Sequence, residues 1–458
     1  MSRKYYINAT SSYNWLGPSV GIIRSEEELI KSLHKDIGTN LNICIWQREK
    51  FILLTYSDYL TKRKRYTYSA LKEVVAKSKY RVIVKSICFK LIGKILRFSG
   101  KFLTKNSFIK VTFYYPFKNN TGFYNRLFSL FLLTTNYKAL PSLSLFNRNI
   151  NIIDTTNKTF DFLSKDDIFI SIGLEWAERY PSSFYFLKKK GVNVVTFVYD
   201  LIPIKFPSYC FTNFYNEFSS YLINIVYGSN YIFCISNNTK NDLKNFITEA
   251  GLPSPEIKVI TLGVSDFKQV INNDVKYNQL LESKFILYVS TIETRKNHKV
   301  LIDAYLLGLK RKIELPNLVL IGMQGWGTDP LIKKINSDPY LSNKIFILNS
   351  VEDTFLVKFY KSSLFCVYPS FYEGWGLPVV EAASFGKLTL CSNTPSLKEA
   401  GGVYMKYINP SKPDQWLQSI DLYSRNPTLL SSCEVLIVNN ASTPSWQETS
   451  NQLLRGIV

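Results

Sequence analysis

Short apolar runs of four to seven residues alternate with stretches of helical periodicity along most of this 458-residue chain. That alternation constrains the fold more than any other feature, because strands joined through helices pair in parallel and bury both faces of their sheet. Strands are expected at 41–46, 168–172, 192–198, 231–235 and 257–261. A second series is expected at 285–290, 318–322, 345–348, 364–368 and 388–392. Between the two series, 266–284 turns polar and unpatterned (DFKQVINNDVKYNQLLESK), and the chain is too long for one ordinary core. The expectation is therefore an α/β protein with two doubly wound domains, whose ligands bind in the crevice outside the carboxyl ends of the strands. No internal repeat is visible in the sequence.

Composition narrows the function classes. No apolar run approaches the roughly 20 residues that cross a bilayer, and the N-terminus MSRKYYINATSSYNW lacks a signal-like apolar stretch, so a cytoplasmic chain is expected. The seven cysteines (44, 88, 210, 234, 366, 391 and 433) are scattered and never spaced as CxxC, which fits reduced thiols and neither a zinc site nor a disulfide scaffold.

Charge is distributed unevenly. Residues 61–118 carry sixteen Lys or Arg against one acid, Glu73, and so supply +15 of the chain's formal +21. Within that segment Ile83, Val84, Ile87, Cys88, Leu91, Ile92, Ile95 and Leu96 fall on one helical face. Lys85, Lys90, Lys94 and Arg97 fall largely elsewhere, with Phe89 and Gly93 interrupting the polar side. Two readings stay open: a basic amphipathic helix on an anionic membrane surface, or a helix packing its apolar face on a core. Zinc-finger spacing, a helix-turn-helix pattern and an aromatic RNA-binding signature are all missing, so no nucleic-acid partner is expected.

The stretch SFYEGWGLPVVEAASFG, residues 370–386, carries the chemistry. It follows the strand expected at 364–368. Pro378 suits the first turn of a helix, Gly386 its end, and Glu381 is placed within that first turn. Gly374 and Gly376 then lie where free backbone N–H groups can meet a polar or anionic ligand. A carboxylate accepts two hydrogen bonds side by side, so Glu381 can hold a vicinal diol such as a ribose, with Glu373 facing another part of the same ligand. The plainer reading is that Glu381 complements the helix dipole and Glu373 is a solvated loop residue. The loop TIETRKN weighs against it, since Arg295 and Lys296 between a strand and a helix suit a diphosphate. His298, at the start of the next helix, is expected to be structural.

EGWGLPVVEAASFGK resembles the signature of the retaining glycosyltransferases of family 4, the group 1 glycosyltransferases. The likeness is strong over 285–400 and weaker at VYDLIPIKFPSY (198–209), CISNNTKNDL (234–243), KVITLGVSDF (258–267) and GIIRSEEEL (21–29). The combination is similar to the mannosyltransferase-like branch that builds bacterial surface polysaccharides. It implies a GT-B fold, two Rossmann-like domains facing a central cleft. The first, acceptor-side domain would span 1–275 with the basic segment 61–118. The nucleotide-sugar domain would span 276–440, and a C-terminal helix, 441–458, would cross back to the first.

Carried over by position, the resemblance implies that Glu381 binds the donor ribose and that Arg295 and Lys296 hold its diphosphate. Glu373 and the backbone from Gly374 through Trp375 and Gly376 to Leu377 would contact the transferred sugar. Val351 would lie by the base, Gly21 would approach the phosphates from the first domain, and Asp200 would contact the sugar or the acceptor hydroxyl. Many relatives carry a histidine where this chain has Tyr199, so a role for imidazole there is not available.

The implied reaction is metal-independent hexose transfer with retention, from a nucleotide sugar such as GDP-mannose to a lipid-linked glycan in O-antigen, capsule or exopolysaccharide synthesis. No cofactor is expected. The enzyme would work peripherally on the inner face of the cytoplasmic membrane. Alternatives are transfer to a protein or soluble sugar, or a non-catalytic protein of the same fold that binds nucleotide or anionic surfaces.

Overall fold

The computed structural model describes residues 3–15, 21–47, 50–62, 160–176, 178, 180–210, 214–265, 277–325 and 327–457. The basic segment, with Lys85, Lys90, Lys94 and Arg97, lies outside them except for its first two residues.

A seven-stranded sheet is built from β1 (Tyr5–Asn8), β2 (Leu41–Gln47), β3 (Lys50–Leu54), β4 (Ile168–Ser171), β5 (Asn193–Val198), β6 (Tyr231–Cys234) and β7 (Glu256–Val259). The order is β3-β2-β1-β4-β5-β6-β7, parallel except for the β2–β3 hairpin at one edge. Ile7 pairs with Ile43 on one side and Ile170 on the other, which places β1 at the centre. A six-stranded, wholly parallel sheet follows: β8 (Phe285–Val289), β9 (Asn317–Ile321), β10 (Ile345–Leu348), β11 (Cys366–Tyr368), β12 (Thr389–Ser392) and β13 (Lys406–Ile408), in the order β10-β9-β8-β11-β12-β13. In both sheets the chain winds outward from a central strand and then restarts on its other side. The strand order thus reverses between β1 and β4, and again between β8 and β11, and crevices for ligands open at such points.

The expected strands match the observed ones to within two residues at each end. The sequence pattern missed β1, β3 and β13. These strands have four, five and three residues; β3 carries the apolar run FILL, which was passed over, whereas YYIN at β1 and KYI at β13 have no such run, and β1 becomes central only through its pairing on both sides.

Seven of the described helices bear on the site: α1 (Gly21–Ile37), α2 (Asn237–Glu249), α3 (His298–Lys310), α4 (Asp353–Ser362), α5 (Leu377–Ser384), α6 (Pro395–Gly401) and α7 (Trp446–Gly456). Ser236 caps α2 by accepting the Thr239 N–H, and Gly251 follows its end with a left-handed φ of +62°. Ser445 and Glu448 form a capping box on α7. Trp446 and Leu453 of α7 are buried with Ile7, Ile43 and Ile170 in the core of the first sheet, and Ser450 Oγ donates to Asp36 on α1 at 2.6 Å. The last helix of the chain therefore completes the core of its first sheet.

The two halves also touch through polar groups. Ser236 Oγ donates to the Gly374 carbonyl at 2.6 Å. The Glu399 carboxylate, on α6, accepts the backbone N–H groups of Asn237 and Asn238 at 2.7 and 2.8 Å. It supplies a charge-assisted cap to α2 from the other sheet.

Candidate active site

The loops after β8 and β11 flank the crossover point of the second sheet, and they hold each other. Asn297 takes a left-handed φ of +55° before α3, and its Nδ2 donates to the carbonyls of Pro369 and Pro410 at 3.1 and 2.7 Å. That anchorage brings Arg295 and Lys296 onto Glu373. Arg295 Nη1 donates to Glu373 Oε2 at 2.9 Å and to the Tyr372 carbonyl at 3.0 Å. Lys296 Nζ donates to Glu373 Oε1 at 2.7 Å and to the Tyr368 hydroxyl at 3.0 Å. Arg295 also pairs with Glu293 at 2.5 Å.

All three charged groups are largely buried, where an unpaired charge would be costly. Burial alone would push the Glu373 carboxyl up, but Lys296 and Arg295 outweigh it and hold its pKa at about 2. Glu373 is consequently an ionised acceptor at neutral pH. Burial pulls the Lys296 ammonium down, and Glu373 opposes the fall.

The residues after Glu373 run straight against the first sheet. A Cβ at Gly374 would collide with the Tyr199 carbonyl oxygen, so only glycine allows this approach. Gly376 takes a φ of +130° and hands the chain to α5, with Pro378 in its first turn. Trp375 and Leu377 pack on the core of the first sheet, and the Trp375 indole N–H is buried with no acceptor among the described residues. Glu381 is the fifth residue of α5, one past the first turn expected for it, because the helix starts at Leu377 before the proline. Its carboxylate does not face the helix N-terminus. Oε2 accepts from the Tyr360 hydroxyl at 2.9 Å, and Oε1 lies 3.7 Å from the Arg24 guanidinium of α1. Val351 is half-buried against the core of the second sheet, two residues before α4. Gly21 is the first residue of α1, the helix that carries Arg24, with a φ of +52°.

Asp200 follows β5. Its Oδ1 accepts the Ile202 N–H at 2.9 Å, and burial raises its pKa against the pull of Arg295. Tyr199, standing where the histidine of many relatives is expected, turns away: its hydroxyl donates to the Ile172 carbonyl at 2.9 Å. His298 is buried and stacked on Tyr288 at 4.5 Å between ring centroids, and burial pushes its pKa down to about 3. That is a neutral, structural imidazole. Among the described residues no His, Cys, Asp and Glu cluster could hold a metal ion, and no helix is long and apolar enough to cross a membrane.

Residues 270–440 match the family described as glycosyl transferases group 1. This segment is similar to a group 1 glycosyltransferase domain. The chain is similar to the serotype-specific mannosyltransferase WbdA of Escherichia coli, 26% identical over 312 residues that cover 64% of this chain and 37% of WbdA. It is also similar to the O-antigen chain mannosyltransferase B of Escherichia coli, 40% identical over 125 residues, covering 27% of this chain and 32% of that protein. The matches thus span about a third of these relatives' own length. Among solved structures, Anabaena Alr3699/HepE in complex with UDP superposes with a TM-score of 0.51 at 16% identity, over 64% of this chain and 78% of that one. With two doubly wound sheets, the fold is GT-B.

The matched segment therefore gathers Arg295, Lys296, Glu373 and Gly374, with Asp200 coming from the first sheet. Glu381 and Val351 lie in a second group with Tyr360 and Asp353. Sequence reasoning missed Arg24, Tyr360, Tyr368 and Glu293. Glu293 stands in the TIETRKN loop beside the cations, and its spacing was the one available signal; Arg24, inside GIIRSEEEL, offered none.

A further pair went unseen in the first sheet. Glu26 of α1 and Glu175 after β4 are fully buried near the crossover between β1 and β4. Glu26 Oε1 accepts the Ser12 N–H at 2.7 Å, and Glu175 Oε1 accepts from Asn8 Nδ2 at 3.0 Å and from Ser171. The second oxygen of each has no hydrogen-bond partner among the described residues. Burial raises Glu26 to about 8 and Glu175 to about 7 against the hydrogen bonds that oppose it.

Proposed function

We propose that the protein is a retaining hexosyltransferase. It moves mannose or a similar sugar from a nucleotide-sugar donor, GDP-mannose as first choice, to a lipid-linked glycan in bacterial O-antigen, capsule or exopolysaccharide synthesis. The observation that carries this reading is Glu373, held ionised by Arg295 and Lys296 at the crossover point of a group 1 glycosyltransferase domain. The two mannosyltransferase relatives support the sugar and the glycan class.

In this reading the sugar C1–O bond to the diphosphate breaks and a bond to the acceptor oxygen forms on the same face. Negative charge grows on the departing diphosphate, and Arg295 and Lys296 are fixed cations aimed at that region, which need no reorganisation as the charge develops. Glu373 stays deprotonated, so it accepts hydrogen bonds from hydroxyls of the transferred sugar and does not act as a proton donor. The backbone from Gly374 to Leu377 completes that subsite. Glu381 takes the ribose diol, Val351 borders the base, and Gly21 lies on the phosphate side. Asp200 contacts the acceptor hydroxyl. No metal and no cofactor is required. Lys85, Lys90, Lys94 and Arg97 would attach the enzyme to the anionic inner face of the cytoplasmic membrane.

Binding of UDP, GDP, dTDP, CDP and ADP to the purified protein tests the donor half. One nucleotide is expected to bind well and to lose affinity in Glu381→Ala; no binding by any of the five would overturn the reading. Labelled sugar appearing in organic-solvent-soluble product identifies a lipid acceptor, and water-soluble product rejects it. Unchanged binding to anionic liposomes after Lys85, Lys90, Lys94 and Arg97 are replaced by Glu would remove the membrane assignment.

A further inference from the structure

Arg24 is carried by the first domain, and it pairs with two acids of the second, Asp353 and Glu381. Its Nη2 donates to Asp353 Oδ1 at 2.7 Å, and its Nη1 lies 3.7 Å from Glu381 Oε1. The Arg24 side chain is 12% exposed and that of Glu381 9%, whereas Asp353 is 53% exposed, so the guanidinium is sunk between the domains with its stronger bond on the solvent side. Tyr360 occupies Glu381 Oε2. The separation from Arg24 to Oε1 is an ion pair but too long for a hydrogen bond, which leaves lone pairs on Oε1 for a ligand. Among the described residues the titratable groups around Glu381 are Arg24, Asp353, Tyr360, Tyr368 and Cys366, and Arg24 is the cation of this set.

We propose that Arg24 is a positioning residue for the donor's ribose. Its ion pair across the cleft keeps Glu381 an ionised acceptor with one oxygen open, so the ribose site is complete only when both domains close on it. The inference rests on the donor-site reading above and adds to it a residue of the first domain. A vicinal diol donates two hydrogen bonds, and a carboxylate accepts both whereas a protonated carboxyl spends one oxygen on its own proton. Burial raises the Glu381 pKa, Arg24 first and Tyr360 second oppose the rise, and the neighbouring Asp353 carboxylate adds to it. Without the guanidinium, Glu381 takes up a proton at higher pH and the diol loses half its acceptor.

The test compares wild type with Arg24→Gln, which keeps polarity and drops the charge, and with Arg24→Lys, which keeps the charge. Each is titrated with whichever of GDP, UDP, dTDP, CDP and ADP binds wild type best, and with inorganic diphosphate as a ribose-free probe, between about pH 8 and about pH 5.5. Arg24→Gln is expected to weaken nucleotide binding about tenfold, with the loss growing as pH falls, and to leave inorganic diphosphate unaffected. Arg24→Lys is expected to restore the wild-type pH profile. Nucleotide binding by Arg24→Gln equal to wild type across the range overturns the inference. So does an equal loss for both probes, which would make Arg24 a domain latch without a role toward ribose. A wild type that binds no nucleotide sinks the donor reading and this inference together, whereas Arg24-independent binding sinks this inference alone.

Discussion

Glu373 in the second domain and the pair Glu26 and Glu175 in the first are buried alike, each at the carboxyl end of a parallel sheet near the point where its strand order reverses. Their surroundings differ in one respect. Two cations end on Glu373, while Glu26 and Glu175 meet hydroxyls, amides and each other. Neutral hydrogen bonds soften the cost of burying a carboxylate but do not cancel it, so the first-domain pair is pushed toward its protonated form and Glu373 is pinned in its charged one. The lesson is that a buried acid becomes a standing negative charge only where the fold also delivers a fixed positive one.

The sharpest break of this comparison is Glu373→Gln. It leaves Lys296 and Arg295 buried with the carboxylate gone, which is expected to cost about 3–5 kcal/mol of stability and to abolish most sugar transfer. Thermal unfolding of the variant at wild-type temperature would show that the cations do not depend on Glu373. Next in size is the pH response. Glu26 has its folded pKa raised from 4.5 to about 8, so the native state holds its proton more tightly than the unfolded chain. Its contribution is favourable at low pH and is lost as pH rises through that window. Glu26→Gln should therefore gain on the order of 5 kcal/mol over wild type above about pH 8 and little near pH 4.5, read from unfolding midpoints. Glu373 has the opposite sign: its contribution is present above 4.5 and lost as pH falls toward about 2. A Glu26→Gln gain that does not vary with pH would deny that the carboxyl is neutral in the fold.

The smallest effect concerns the tie between the halves. Glu399→Ala removes the carboxylate that caps α2 and should cost about 1 kcal/mol. An unchanged unfolding midpoint would mean that water serves that helix end equally well.

How far each region could be read beforehand follows the same divide. TIETRKN and YEGWG announce themselves because glycines, cations and an acid cluster within a few residues of strand ends, and local spacing alone sets Arg295 and Lys296 at the mouth of a sheet. Glu26 stands second in SEEEL, where an acidic run on a helix reads as a solvated face, and Glu175 in LEWAER reads the same way. Asp200 was legible through its motif. Its neighbour Tyr199 was noticed for the missing imidazole, but that its hydroxyl would turn to Ile172 was not. The strand β1 was illegible because YYIN has no period of its own.

By itself the sequence determined what depends on near neighbours along the chain: the strand and helix alternation, the glycine loop before α5, and the residue types of the site. Tertiary structure alone decided which charges would meet. Glu373 comes to Arg295 and Lys296 across more than seventy residues, and Arg24 to Asp353 and Glu381 across more than three hundred. The physical reason is that a charge's state is set by distance and burial in space. Both are properties of the packed sheets, and neither is carried by local spacing.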